Sequence, residues 1–302
     1  MRLTTLKRIR RFQEGLKLLW ESDEKRIRRK YRSELGRDPN LDPPRTLNEK
    51  ILWLNLRQRD PRRVECSDKV AVRRFVRNRI GDHYLVPLLG VYDDPRDIDL
   101  DELPDRFIIK AAHGSGWNLI VRDKQALEWR ETRRKLQDWL SRSYYAHKRE
   151  WQYRDVPHRL VIEELLVDED GEVPDDYKVW CLRNGPAETM FFQVDMDRFT
   201  DHRRNYYDLD WKILPFSKAD APTSPTGRPR PEHLDELVEV ARELSEGFCL
   251  VRVDLYSLPD RVCFGEMTFT PDAGMAPLVP EEWDRKLGDL VGLPEPLEEE
   301  GK

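Results

Sequence analysis

A lysine followed by a glycine-rich turn is one group of residues whose types and spacing suit chemistry. In Lys110-Ala111-Ala112-His113-Gly114-Ser115-Gly116 the lysine ends an apolar run and the turn leads into the next one. Backbone N–H groups of such a turn can approach phosphate oxygens closely, because glycine has no side chain in the way. The lysine adds a positive charge beside them. The pattern suits a phosphate site, but glycine–serine hairpins without a ligand are also common.

Two carboxylates in neighbouring apolar runs form a second group. Asp254 and Glu266 are separated by a turn at Leu258-Pro259-Asp260, which predicts that they face one another on adjacent strands. Thr268 follows Glu266 by two residues and shares its face of the strand. These oxygen ligands suit Mg²⁺, which takes few protein ligands beside nucleotide phosphates. The alternative for Asp254 is a structural ion pair with Arg252.

A third group places two acidic residues inside an apolar run, Val161-Ile162-Glu163-Glu164-Leu165. In a solvated strand both acids would be ordinary surface charges. In a cleft, the apolar residues can pack against adenine while a carboxylate binds the ribose hydroxyls. The residues alone leave both interpretations open.

A fourth group lies in a polar stretch between two predicted strands. Residues 195–204 include Arg198, His202 and Arg204. An arginine fork matches a carboxylate or an acyl phosphate through two parallel hydrogen bonds. A solvated connection without a ligand is the alternative.

Capping signals and apolar periodicity indicate the elements that must position these groups. Thr46 and Glu49 have the spacing of a capping box, which predicts a helix start. A second helix is predicted from Ser67 or Asp68 to Gly81. Further helices are predicted over 125–141 and 231–246, strands over 84–92, 107–110, 118–121, 160–166, 177–182, 188–194, 250–256 and 261–269, and linkers over 36–44 and 219–231. Short turns join most neighbouring strands, which favours an α+β protein with mostly antiparallel sheets.

Charge is unevenly distributed along the chain. The 302 residues carry a net charge of −5, yet residues 1–37 hold thirteen lysines and arginines against five acidic residues. An apolar stripe at helical spacing runs through this basic arm: Leu3, Leu6, Ile9, Phe12, Leu16 and Leu19. Such a helix either docks its stripe on the body of the protein or rests on an anionic membrane surface. An acidic chain with one basic arm is a poor match for a nucleic-acid partner.

Composition and missing motifs argue against several classes of protein. No apolar run approaches the roughly 18 residues of a membrane-spanning helix, and the N-terminus lacks the apolar core of a secretory signal. The four cysteines form no CxxC pair. The phosphate loops GxxxxGK[ST] and GxGxxG, the kinase signatures and the GxSxG elbow are missing. We therefore expect a cytoplasmic protein, with the inner membrane surface as a place where the basic arm could act.

Taken in order along the chain, these features resemble the ATP-grasp superfamily, and within it the family typified by teichuronopeptide-biosynthesis (Tup-type) proteins. The resemblance covers roughly residues 30–290. It is carried by short blocks at 47–54, 67–73, 85–92, 107–116, 176–178, 197–199, 206–211, 248–256 and 265–271.

The resemblance implies a fold in which two α+β lobes clasp ATP. A short basic helical segment over 1–60 would replace the usual preATP-grasp domain. The small lobe, with its lysine and glycine-rich flap, would cover 61–159, and the lobe with the metal site would cover 160–295.

The resemblance also implies a role for each matching residue. The ATP-binding set would be Lys69, Lys110, His113, Gly114, Ser115, Gly116, Glu163, Glu164, Leu165 and Lys178. Mg²⁺ would be held by Asp254, Glu266 and Thr268, catalysis would rest on Arg252 and Lys110, and the substrate would meet Arg198, His202, Arg204 and Asp272. Two of these residues depart from the family pattern: Thr268 stands where asparagine is usual, and Asp272 where glycine often follows the proline.

The function implied is an ATP-dependent carboxylate–amine ligase that works through an acyl phosphate, in cell-surface polymer or natural-product synthesis. Its partners would be a small or carrier-linked carboxylate and an amine. A kinase or a glycan-modifying enzyme using the same ATP cleft is one alternative. A non-catalytic interaction protein is another, although the retained lysines and carboxylates argue against it.

Overall fold

Helices and strands are mixed along the chain in the computed structural model, which describes residues 21–196 and 202–295. The helices are Asp23–Leu35 (α1), Leu47–Arg57 (α2), Pro61–Ser67 (α3), Val72–Ile80 (α4), Trp129–Leu140 (α5), Tyr144–Lys148 (α6), Leu234–Ser245 (α7) and Glu282–Asp289 (α8). The strands are Leu88–Tyr92 (β1), Phe107–Ala111 (β2), Asn118–Val121 (β3), Leu160–Glu164 (β4), Asp176–Asn184 (β5), Ala187–Met196 (β6), Arg203–Tyr207 (β7), Ser217–Lys218 (β8), Leu250–Ser257 (β9), Val262–Thr268 (β10) and Leu278–Val279 (β11). Short 3₁₀ helices lie at Asp82–Tyr84, Trp151–Tyr153 and Pro271–Gly274.

The strands pair in antiparallel fashion in two main sheets. The small sheet has the order β1-β4-β2-β3, and the large sheet has the order β10-β9-β5-β6-β7. The two short strands β8 and β11 form a separate pair. The predicted α+β class with antiparallel sheets is therefore confirmed.

One face of the small sheet is buried in a core, and the other face is more open. On β2, Phe107 and Ile109 are fully buried and pack with Val121 and with Leu136 of α5. The intervening residues Ile108 and Lys110 are only half-buried. Because side chains alternate along a strand, the core that buries Phe107 forces Lys110 to point to the opposite face.

Helix α7 packs on one face of the large sheet, and α2 and α8 pack on part of the other face. Val179 and Val253 pack on one face against the apolar side of α7. Trp180 and Leu250 pack on the other face against α2 and α8. Since α2 and α8 cover only part of that second face, the remainder of it faces the small sheet, and it carries polar side chains.

The N-terminal part of the described chain packs on the large lobe. The capping box predicted for α2 is confirmed, because the Glu49 N–H donates to the Thr46 hydroxyl at 3.3 Å and the Thr46 N–H donates to the Glu49 carboxylate at 3.1 Å. Helix α1 buries Ile27 and Tyr31 beside Leu52 of α2. The apolar stripe predicted between Leu3 and Leu19 lies outside the described residues. Among the described helices, each is too short or too polar to cross a membrane.

Some predicted boundaries differ from the structure. The helix expected from Ser67 or Asp68 to Gly81 is divided, because Asp68 is extended, at ψ 115°, and ends α3 before α4 begins at Val72. The strand expected from residue 84 begins only at Leu88, after a 3₁₀ helix and Pro87, which has no N–H to donate to a ladder. Strand β7 was not predicted, because its sequence Arg-Arg-Asn-Tyr-Tyr shows no polar–apolar alternation.

A bulge at Gly265 sets the positions of the carboxylates on β10. The pairing of β9 with β10 shifts between Phe264 and Glu266, so that Glu266 lies directly opposite Asp254. A Cβ at Gly265 would come within 2.9 Å of the Asp254 carbonyl oxygen. Glycine is therefore required here, because the obstacle is backbone and cannot rotate away.

We expect Gly265→Ala to lower the free energy of unfolding by about 1–3 kcal/mol, the range for forcing extra atoms into a packed site. Urea unfolding of the two proteins measures this. Ser257→Ala, at the far end of β9, is the control and should stay within about 0.5 kcal/mol of wild type. Equal stability of the Gly265→Ala protein would show that the bulge tolerates a side chain.

Candidate active site

The uncovered part of the large sheet carries a row of charged side chains. Lys178 on β5 lies opposite Asp254 on β9, and Asp254 lies opposite Glu266 on β10. These residues share a face of the sheet with Trp180 and Leu250, which pack under α2 and α8. This face of the large sheet is therefore apolar where α2 and α8 pack on it and charged beyond them.

A cavity of ≈ 460 Å³ separates this charged row from the small sheet. Lys69 and Lys110 line it on the small-sheet side, with the turn from Ser115 to Asn118 beside them. Lys178, Arg252, Asp254 and Glu266 line the opposite wall. The structure therefore brings together residues from the first and second groups singled out in the sequence, more than 100 positions apart along the chain.

Lys110 is held by a carboxylate of the same sheet. Its Nζ lies 2.7 Å from Glu163 Oε2, and Arg73 lies 2.8 Å from Glu163 Oε1. Glu163 is buried, so this pairing balances its charge. Glu164, by contrast, is exposed, and Leu165 is half-buried. Of the predicted adenine segment, only Glu163 is positioned against the lysine.

Lys69 reaches the glycine-rich turn from outside the small sheet. Its Nζ donates to the Gly114 carbonyl oxygen at 2.6 Å. Burial lowers the pKa of the Lys69 ammonium, and the neighbouring charge of Lys110 adds to this. Two ammonium groups that share one wall and repel each other favour an anion between them.

His113 differs from its neighbours in the turn. Its ring is fully buried, stacks on His158 at 3.9 Å and lies 3.1 Å from the Trp139 carbonyl oxygen. Burial lowers the pKa of His113 to about 4, and His158 adds to the shift. The structure therefore brings Ser115 and Gly116 to the cavity but places the His113 ring in the core beneath it.

Arg252 and Asp254 form a bidentate ion pair at the centre of the charged row. Arg252 Nε donates to Asp254 Oδ1 at 2.7 Å, and Nη2 donates to Oδ2 at 2.8 Å. Lys178 Nζ lies 3.4 Å from the same carboxylate. Burial would raise the pKa of Asp254, but Arg252 and Lys178 hold it below its usual value. The ion pair considered as an alternative from the sequence is thus present, beside the cavity rather than away from it.

Glu266 is the more open of the two carboxylates. Its side chain is 36% exposed, and Oε1 lies 4.0 Å from Arg252 and accepts from the Thr268 hydroxyl at 3.4 Å. These long contacts leave oxygen lone pairs directed to the cavity. The donor set of Asp254, Glu266 and Thr268 consists of oxygen atoms and fits Mg²⁺, which requires few protein ligands. To serve as a metal ligand, Asp254 would have to share its carboxylate oxygens between the metal ion and Arg252.

His202 and Arg204 meet on a buried carboxylate that was not singled out in the sequence. Asp195 Oδ1 accepts from Arg204 Nε at 2.5 Å and lies 3.0 Å from His202 Nε2. All three residues line the ≈ 460 Å³ cavity. Arg198 lies outside the described residues. In the sequence, Asp195 is distinguished only by its position at the end of an apolar run, just before the polar stretch. This signal is weak, because the sequence does not show which strands are neighbours in the sheet.

Asp272 lies on the other side of Arg252, in a strained turn. Asp272 and Ala273 have φ values of 51° and 55°, in the left-handed region that L residues rarely adopt. Asp272 forms an ion pair with Lys218, whose side chain is buried. Burial would raise the pKa of Asp272, but Lys218 and Arg252 hold it below its usual value. Lys218 was missed because its strand has only two residues and follows no periodic pattern.

A second cavity, of ≈ 680 Å³, adjoins the first. Ser115, Arg252 and Glu266 line both cavities. Thr268 and Asp272 line only the second of the two. Arg252 therefore stands where molecules bound in the two cavities would meet.

The chain matches the TupA-like ATP-grasp family over residues 49–292. No match was found among curated proteins. Among solved structures it is similar to the D-alanine–D-alanine ligase of Bacillus anthracis complexed with ATP, with 15% identity, a TM-score of 0.44, and coverage of 75% of this chain and 63% of that one. It is also similar to the D-alanine–D-alanine ligase of Helicobacter pylori, with 13% identity, a TM-score of 0.41, and coverage of 76% and 61%. The L-amino acid ligase of Bacillus licheniformis gives 13% identity, a TM-score of 0.40, and coverage of 67% and 40%.

The chain spans less than two thirds of the length of each of these three proteins. The family match, by contrast, extends over most of its own length. The matched range includes the lysines, the glycine-rich turn and the carboxylate pair of the cleft. This chain therefore belongs to the TupA-like ATP-grasp family.

Proposed function

We propose that this protein is an ATP-dependent carboxylate–amine ligase that uses Mg²⁺. The observation that carries the proposal is the ≈ 460 Å³ cavity with Lys69 and Lys110 on one wall and Asp254, Glu266 and Arg252 on the other. Cations on one wall and metal-ligating oxygens on the other suit the phosphates of a nucleotide. We extend the proposal to cell-surface polymer or natural-product synthesis, as the resemblance to teichuronopeptide-biosynthesis proteins implies.

In the proposed reaction the γ-phosphate of ATP passes to a substrate carboxylate, which yields ADP and an acyl phosphate. An amine then attacks the acyl carbon, and inorganic phosphate leaves as the amide forms. Such a reaction needs positioning and charge neutralisation more than a protein nucleophile. Lys69 and Lys110 would bind the phosphates, and Arg252 would bind the carboxylate that receives the phosphoryl group, at the junction of the two cavities.

Asp254, Glu266 and Thr268 would hold the metal ion. When bound, Mg²⁺ neutralises charge on the phosphates and orients them. Lys110 must loosen its contact with Glu163 to serve the nucleotide, and Arg73 remains to balance that carboxylate. The protein can therefore move one lysine toward a ligand without leaving Glu163 unpaired.

A screen of carboxylic acids against amines, with ADP release and product mass as readouts, tests the proposal. ADP together with an amide supports the ligase. A phosphorylated product that is stable to amines would instead identify a kinase. ATP that neither binds nor is consumed with any acid would support a non-catalytic interaction protein.

We expect Lys110→Ala to weaken ATP binding by about 1.5–3 kcal/mol, the range for hydrogen bonds to charged groups. Calorimetry with ATP and Mg²⁺ measures this. Lys212→Ala is the matched control, because Lys212 is exposed and pairs only with Asp210 among the described residues. Unchanged affinity in the Lys110→Ala protein would exclude a phosphate contact.

We expect Glu266→Gln to remain folded and to lose most ATP turnover, because an amide is a far poorer Mg²⁺ ligand. Asp254→Asn should lose turnover and also stability, by up to about 3–5 kcal/mol, since it leaves Arg252 without its buried counter-charge. Thermal unfolding and Mg²⁺-dependent ADP release separate the two effects. Wild-type turnover in the Glu266→Gln protein would rule out metal ligation by Glu266.

We expect Arg252→Lys to keep ATP binding but to lose acyl-phosphate formation, because a lysine cannot keep the two parallel bonds to Asp254 and also present an N–H to the substrate carboxylate. Nucleotide affinity and hydroxylamine trapping of the acyl phosphate are the measurements. Arg204→Lys is the comparison variant, because Arg204 lines the same ≈ 460 Å³ cavity and is paired with Asp195. Should Arg204→Lys abolish trapping while Arg252→Lys leaves it intact, the carboxylate site lies at Asp195 and Arg204 instead.

A further inference from the structure

Glu150 is a buried carboxyl group in the wall of the ≈ 680 Å³ cavity, beyond Arg252. It follows the short helix α6 and opens the 3₁₀ helix Trp151–Tyr153, and it is 7% exposed. Nothing in its local sequence, Lys-Arg-Glu-Trp, distinguishes it from a surface acid. Only the fold places it against the cavity that adjoins the nucleotide site.

The two carboxylate oxygens of Glu150 differ in their contacts. Oε2 accepts a hydrogen bond from the Thr270 hydroxyl at 2.6 Å and a longer one from Gln152 Nε2 at 3.4 Å. Oε1 has only a 3.5 Å contact from the Tyr144 hydroxyl among the described residues. Thr270 and Gln152 thus orient the group, while Oε1 retains capacity to accept a hydrogen bond.

Glu150 also differs from the other acidic residues of this cavity. Asp272 is ion-paired with Lys218, and Glu266 belongs to the proposed metal set. Glu34 and Asp220 are exposed at the mouth. Among the described residues, no lysine, arginine or histidine lies within ion-pair distance of Glu150, so it is the buried carboxyl group of this cavity without a paired cation.

The charged and titratable groups around Glu150 do not cancel the effect of burial on its pKa. Burial raises the pKa of Glu150 to about 7, while the hydrogen bond from Thr270 and the more distant charges of Lys148 and Arg63 oppose the shift. Tyr144, Tyr153 and Lys30 also interact with Glu150 electrostatically. A carboxyl group of this kind accepts and releases a proton near neutral pH.

We propose that Glu150 is the catalytic base for the incoming amine: its carboxylate binds the substrate ammonium group in the ≈ 680 Å³ cavity and takes one proton from it. The inference rests on the proposed ligase function and assigns the second cavity to the amine. A nitrogen between Glu150 and the junction at Arg252 then approaches the acyl phosphate from the side opposite the nucleotide cavity.

The proton balance of the step is complete. The ammonium group R–NH₃⁺ gives one proton to the Glu150 carboxylate and becomes R–NH₂, whose lone pair forms the bond to the acyl carbon. The C–O bond to phosphate breaks, and the second nitrogen-bound proton leaves with the phosphate as HPO₄²⁻. Glu150 then releases its proton to water through the open cavity.

Hydroxylamine and an alkyl amine distinguish this role from others. Hydroxylamine is largely unprotonated at neutral pH and needs no base, whereas an alkyl amine arrives as ammonium. With the acid and the alkyl amine that give ADP and amide in the screen above, we expect Glu150→Gln to form hydroxamate within about 2-fold of wild type. Amide formation from the alkyl amine should fall by about 10²–10⁴-fold, the range for general base catalysis.

Glu34→Gln is the matched control, because Glu34 lines the same cavity but is exposed and lies outside the proposed machinery. It should leave both rates unchanged. Equal losses of hydroxamate and amide in the Glu150→Gln protein would overturn the base role, and so would two unchanged rates.

A measurement on the wild-type protein keeps the inference testable if Glu150→Gln does not fold. Single-turnover amide formation from preformed acyl phosphate should rise with pH through about 7, because the carboxylate form of Glu150 is the active one. Hydroxamate formation should lack this step. A pH dependence shared by both reactions would contradict the inference. If none of the acids in the screen makes the wild-type protein release ADP, the ligase function on which the inference rests is overturned instead.

Discussion

Arg252 donates two hydrogen bonds to Asp254 inside a sheet where neither charge is well solvated. A buried ion pair costs desolvation energy and is a poor source of net stability, yet removing one partner leaves an uncompensated charge. Other charges lie around the pair: Lys178 approaches the Asp254 carboxylate from β5, and Glu266 stands opposite Asp254 on β10. On this wall of the cleft, buried charges therefore lie beside opposite charges.

The same constraint explains why helices cover only part of the large sheet. Trp180 and Leu250 can be buried by α2 and α8, because they bring apolar surface to the interface. The charged row on the same face cannot be covered by apolar side chains without a large energetic cost. The facing wall is instead supplied by the polar side of the small sheet, where Lys110 points away from its own core.

Arg252 also separates two cavities with different surroundings. The smaller one lies between the ammonium groups of Lys69 and Lys110 and the carboxylates of Asp254 and Glu266. The larger one is lined by Lys30 and Lys148 and contains Glu150, whose hydrogen-bond partners are the neutral side chains of Thr270, Gln152 and Tyr144. At one edge of the larger cavity, an ion pair between Asp272 and Lys218 holds the strained turn at Asp272 and Ala273.

Local features of this protein are determined by the sequence alone. Three such features are the capping box at Thr46, the alternation of β2 that turns Lys110 away from the core, and the antiparallel α+β class. They depend on neighbouring residues, whose spacing sets which side of an element they occupy. The resemblance that led to the family also rested on short blocks of this kind. Within the glycine-rich turn, however, the same reasoning grouped His113 with the ligand contacts, and its ring is buried against His158.

Contacts between distant segments were decided only by the tertiary structure. The bulge at Gly265 sets Glu266 opposite Asp254, because a strand register depends on pairing and packing rather than on either strand alone. Asp195 joins His202 and Arg204 only after β6 and β7 pair. The local sequence of Glu150 is unremarkable. Segments 120 residues apart come into contact, and this contact buries Glu150, gives it the hydrogen bond from Thr270 and places it beside the second cavity.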